Sequence, residues 1–118
     1  MTDQDKLAER QVHICRSLNT RYDPPVLGTK VGISLKSRLA GPPLNGLRHS
    51  PHNGTNGWYI WWGGQPEEAA DFFDAMHTEH LAEKCPEVLE FLGLPPGWRF
   101  LIAGNFKDIW FDQSIIRI

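Results

Sequence analysis

The segment Gly57-Trp58-Tyr59-Ile60-Trp61-Trp62-Gly63-Gly64 constrains this chain more than any other stretch. Aromatic and β-branched residues held between glycines read as a strand. Side chains alternate across a strand, so Trp58, Ile60 and Trp62 take one face and Tyr59 and Trp61 the other. Both faces are bulky and apolar, so both need cover. That places the strand in the interior of a sheet.

Other elements arrange themselves around it. Residues 3–18 carry Leu7, Gln11, Ile14 and Leu18 on one stripe, with Cys15 beside it, and predict an amphipathic helix that Pro24-Pro25 stops. Residues 30–36 alternate, with Val31, Ile33 and Leu35 facing a core. Residues 40–57 hold Pro42-Pro43 and three Asn-Gly pairs, and read as one long loop carrying Arg48, His49 and His52. Gln65 to Lys84 reads as the best helix. Ala69, Phe72, Phe73 and Met76 lie on one side of it, with His80 in the apolar arc and His77 at its rim. Glu67, Glu68, Asp71 and Asp74 lie on the other side. Pro86 to Leu92 predicts a short helix, and Trp98–Ala103 with Lys107–Asp112 predicts a hairpin around Gly104-Asn105. This mixture predicts an α+β fold: a single domain over residues 1–118, with a mainly antiparallel sheet and helices packed on one face.

A chain of 118 residues is the size of one domain and can bury a core without staples. Its two cysteines, Cys15 and Cys85, are read as reduced. MTDQDKLAER has no apolar stretch behind it, unlike a secretory leader, so the cytoplasm is the expected address. No apolar run reaches the roughly 20 residues a membrane span needs. Charge is uneven. Residues 1–55 hold eight Lys/Arg against four Asp/Glu, and residues 56–118 hold four against ten. Eight carboxylates fall within 66–90, where only Lys84 opposes them. Such a surface repels nucleic acid and fits a basic protein. Neither nucleic acid nor a membrane is the expected partner.

Three patterns invite chemistry. His77-x-x-His80 can place two imidazoles near one metal ion, but a site needs three or four ligands, and no further His/Cys cluster stands at a diagnostic spacing. The plainer reading makes His80 a core histidine and His77 a rim residue. Cys85 precedes Pro86 at a helix start, where a thiolate would be stabilised, yet spacing supplies no base and a small buried residue suffices there. The tryptophans fit a core, and any left exposed suits a protein contact. Phosphate-binding and common hydrolase patterns are absent from the sequence. No catalytic residue, metal ligand or cofactor is assigned.

Leu44-Asn45-Gly46-Leu47-Arg48-His49, Gly57-Trp58-Tyr59-Ile60-Trp61, Asp71-Phe72-Phe73, His77-x-x-His80-Leu81, Cys85-Pro86-Glu87-Val88, Leu92-x-Leu94-Pro95-Pro96-Gly97-Trp98-Arg99-Phe100 and Asp108-x-Trp110-x-Asp112 together resemble the immunity protein 33-like domain. The resemblance covers about residues 30–113 and leaves the 3–18 helix outside. It implies an α+β protein of bacterial polymorphic toxin systems that binds and blocks a toxin domain. The matching expectation is a non-enzymatic binder whose acidic helix face (Glu67, Glu68, Asp71, Asp74) meets a basic, nuclease-like toxin. A tryptophan or Arg48 on the loop would supply the central anchor, with Arg48, His49 and Trp61 as the contact candidates beside the acidic residues. Two alternatives stay open: a small metal-binding or hydrolytic enzyme built on Arg48, His49, His77, His80 and Cys85, and a regulatory domain that binds some other protein.

Overall fold

In the computed structural model, which describes residues 2–116, Thr2 caps the first helix. Its Oγ1 accepts from the Asp5 amide at 3.1 Å, and its own amide donates to Asp5 Oδ2 at 3.3 Å. This reciprocal cap satisfies two amides that a helix start leaves free. Helix α1 (Asp3–Ser17) buries Gln11 and Cys15 on the predicted stripe. Gln11 Nε2 donates to the Leu89 carbonyl at 2.8 Å, and Cys15 Sγ donates to the Gly93 carbonyl at 3.4 Å. Both bonds fasten α1 to the 3-10 helix Pro86–Phe91 and the turn after it.

Among the described residues the strands are β1 (Lys30–Ile33), β2 (Leu44–Arg48), β3 (Thr55–Trp62), β4 (Asp74–His77), β5 (Trp98–Ala103) and β6 (Phe106–Phe111). They form one sheet in the order β4-β1-β3-β2-β5-β6. Only the β1–β3 pair is parallel. The aromatic strand β3 lies inside the sheet, as its two apolar faces require, and Trp58 and Ile60 are fully buried.

Helices pack on one face, as expected. Phe91 stacks on Phe100 with ring centroids 4.6 Å apart, and Trp58 Nε1 donates to the Leu92 carbonyl at 3.1 Å. Val31, Ile33, Leu81, Val88 and Leu94 complete this core. The predicted hairpin is β5 and β6.

The structure corrects the sequence reading in three places. Residues 40–57 are not one loop, because Leu44–Arg48 is strand β2, paired to β3 on one side and β5 on the other. Of the three Asn-Gly pairs only Asn53-Gly54 makes the turn, with φ of 49° and 83°. The region 65–84 is not a continuous helix. Residues 74–77 pair with β1, whose Val31 and Ile33 would otherwise lie at an open edge. A buried amide pins that arrangement. Asn56 Nδ2 donates to Thr78 Oγ1 at 2.9 Å, and Thr78 Oγ1 donates to the Thr29 carbonyl at 2.9 Å. Helical structure resumes only in the 3-10 turn Thr78–His80 and in α2 (Leu81–Lys84). The strand predicted over 30–36 ends at Ile33, and Leu35 begins the 3-10 helix Leu35–Ala40.

Candidate functional site

The acidic residues singled out by sequence sit on an extended strap, not on a helix face. The strap leaves β3 at Gly63 and enters β4 at Asp74. Two adjacent phenylalanines hold it down. Phe73 packs edge-on against Tyr59 at 5.1 Å and Trp61 at 6.1 Å, while Phe72 is buried with Lys36 Nζ 5.9 Å from its ring centroid. Trp61 Nε1 donates to the Gly64 carbonyl at 2.7 Å and ties down the strap's start. The apolar period that suggested a helix is thus used by two neighbouring side chains whose rings meet edge-on at 4.9 Å and whose other contacts differ.

Glu67, Glu68, Asp71 and Asp74 are all exposed. Asp71 Oδ1 lies 3.7 Å from Lys36 Nζ, and its carbonyl accepts from the same ammonium at 2.6 Å. Among the described residues, the other three carboxylates take part in no ion pair. Their charge is therefore directed to solvent and to whatever approaches.

Arg48, expected as a contact residue, is an interior residue only 2% exposed. Its Nε donates to the Asn56 carbonyl at 2.9 Å, and its Nη1 donates to the carbonyls of Asp23 at 2.6 Å and Leu94 at 2.8 Å. Burial lowers its pKa from the ordinary arginine value, with partial compensation from nearby Asp23. The guanidinium joins β3 to the segments before β1 and before β5. It takes three bonds here and is not free to anchor a partner. Trp61 is likewise withdrawn, 2% exposed beneath the strap. His49 is half-buried, and its Nδ1 donates to the Ile115 carbonyl at 2.7 Å. The His49 ring stands edge-on to Tyr59 at 5.5 Å. His52 Nδ1 donates to the Ser50 carbonyl, which leaves its Nε2 to accept from the Tyr59 hydroxyl at 3.1 Å.

His77 and His80 are both exposed, with ring centroids 6.3 Å apart. His80 is not a core histidine, because the helix that would have turned it inward does not form. Among the described residues, no group of three or more His, Cys, Asp or Glu is placed to hold a metal ion. Cys85 is fully buried, and burial, helped by nearby Glu87, pushes its thiol up to about 12. A group so placed is a thiol at neutral pH, not the thiolate a nucleophile needs.

Sequence reading missed one surface altogether. Tyr59 and Trp61 share their side of the sheet with Asn45 and Leu47 of β2, Arg99 and Leu101 of β5, and Asp108 and Trp110 of β6. The signal was the alternation of Leu44, Gly46 and Arg48 against Asn45 and Leu47, hidden by an Asn-Gly pair read as a turn.

The model of the Imm33-like domain matches residues 10–112. The match begins inside α1 and so takes in much of the helix that the resemblance left out. No curated protein and no solved structure matches the chain.

Proposed function

This chain belongs to the Imm33-like domain family, and from that premise we propose that it is an immunity protein that binds and neutralises a bacterial toxin domain. The family match over nearly the whole chain carries this reading. Neutralisation proceeds by occlusion: the protein covers the toxin's working surface and performs no reaction on it. The toxin's contact surface is basic, as on a nuclease. The uncompensated carboxylates Glu67, Glu68 and Asp74 support that partner chemistry, since an acidic surface steers a basic one into fast encounter. Neutralisation takes place in the cytoplasm, before the toxin reaches its target in the same cell.

A protection screen tests the proposal. Fragments of the source genome are expressed in cells with and without this chain. At least one fragment is toxic alone, tolerated with the chain, and recovered bound to it. A screen in which no toxic fragment is tolerated overturns the reading.

A further inference from the structure

The sheet has a face that neither α-helix covers. The register of the strands lays two cross-strand rows on it: Trp61, Asn45, Leu101 and Asp108, then Tyr59, Leu47, Arg99 and Trp110. Trp61 and much of Tyr59 lie beneath the Phe73 strap. Beyond the strap, Leu47, Leu101 and Trp110 are half-buried, and Phe106 at the end of the face is 60% exposed. The α1 side closes differently. There Arg10 and Lys107 both reach Glu90, and the helices meet a filled core.

Charge on the open face runs one way. Its cation Arg99 pairs with Asp112 at 3.1 Å, and Lys36 at the strap is engaged by Asp71. Asp108, within the face, and Glu67 and Glu68, on the strap, stand in no ion pair among the described residues, whereas Asp74 is paired with Ile33 and lies on the other side of the sheet. The Arg99 guanidinium carbon also lies 5.3 Å from the Trp110 ring centroid. The indole is thereby held in place before any partner arrives, which lowers the entropy lost on binding. The result is an apolar centre with a fixed aromatic anchor, bordered by unpaired carboxylates.

We infer that this open face, with Leu47, Leu101, Trp110 and Phe106 at its centre and the acidic strap at its border, seats a protein surface in which Lys and Arg surround an apolar patch. The inference rests on the neutralising reading above and names the surface that does the neutralising. An apolar centre inside a charged rim is the anatomy of a protein interface. The charge selects among occupants. Nucleic acid and an anionic lipid surface are repelled, and a second copy brings the same carboxylates against themselves.

The test uses the full chain and the toxic fragment recovered by the protection screen, with binding measured by calorimetry. Trp110→Ser should weaken binding by about thirtyfold or more, as loss of a buried aromatic anchor does. Asp108→Lys, on an exposed side chain that the fold does not need, should weaken it by about tenfold at low salt. Glu9→Lys, on the exposed side of α1, should stay within about twofold. If Trp110→Ser fails to fold, Phe106→Ala takes its place, with the same direction expected. Unchanged binding by the face variants, with wild-type protection intact, overturns the seat and leaves the neutralising reading standing. So does a dimer of the chain alone that Asp108→Lys dissociates. If wild-type chain protects against no fragment, both fall together.

Discussion

The ring of Phe100 on β5 lies where a side chain on Gly46 of β2 would stand. The two residues are paired across the strands, so the ring lies flat over the glycine and continues to Phe91 behind it. Gly46→Ala must displace a fully buried ring from a filled core. It should cost about 2 kcal/mol of stability, the range for overpacking. The check is the urea midpoint, with Gly64→Ala, where an added methyl meets open space, as comparison. An alanine at 46 as stable as wild type would show that the ring has room to move.

Arg48 makes a second interior prediction. Arg48→Met keeps the apolar stem out to about the position of Nε but removes the guanidinium, leaving the carbonyls of Asp23, Asn56 and Leu94 without their donor. Unsatisfied buried groups make this costly, on the order of 3 kcal/mol. Chemical denaturation should show it. A variant that folds as well as wild type yet loses its partner would return Arg48 to the interface.

These two residues also mark how far the sequence could be read. Strand β3, helix α1 and the β5–β6 hairpin were legible because each repeats its pattern over a full face. Strand β2 was not, because Gly46 hides its apolar alternation and the reason for a glycine there lies on β5. The 65–84 region misled for the opposite reason. Phe72 and Phe73 fit a helical stripe by spacing, but one packs by Lys36 and the other over Tyr59 and Trp61. The acidic residues were found correctly as an exposed group, while their geometry depended on a long-range pairing of β4 with β1. Long-range pairing leaves no local signal.

Acid should act on the chain's end through Asp112. Hydrogen bonds from Ser114 and Arg99 hold this carboxyl below the ordinary aspartate value. A depressed folded value means stability that is full above the unfolded value and lost as pH falls through the folded one. Asp112→Asn should therefore destabilise the chain at neutral pH and make its stability less sensitive to pH below about 4, where an ordinary aspartate titrates. Thermal melts of both proteins across the acid range check this. Parallel curves would mean that Asp112 contributes nothing.

Both thiols should be silent in the folded chain. Cys15 and Cys85 are buried, and burial raises both, Cys85 to about 12. A raised folded value favours the fold below the unfolded value of 9.0 and is lost as pH climbs towards the folded one. Maleimide at pH 7 should label neither thiol in native protein and both in urea. Stability should fall as pH passes 9. Rapid native labelling of Cys85 would revive it as a reactive group.

Long-range attraction should appear in the rate of association. Glu67 and Glu68 project from a strap held at both ends and Asp74 from the first position of β4, so their charge stays in place while the partner approaches. Reversing all three to lysine changes exposed side chains only and leaves Phe72, Phe73 and the backbone pairing of β4 with β1 in place, so the fold should survive. Attraction across a Debye length of about 10 Å acts before contact, and its loss falls on the on-rate more than on the off-rate. The triple variant should therefore associate about tenfold more slowly with the captured toxin fragment at low salt. The gap should close as salt is added, because screening removes the same attraction from wild type. Stopped-flow measurement at several salt concentrations separates this from a contact role. An on-rate unchanged at low salt would remove the strap from steering. A faster off-rate that persists in high salt would instead make these side chains direct contacts at the rim of the interface.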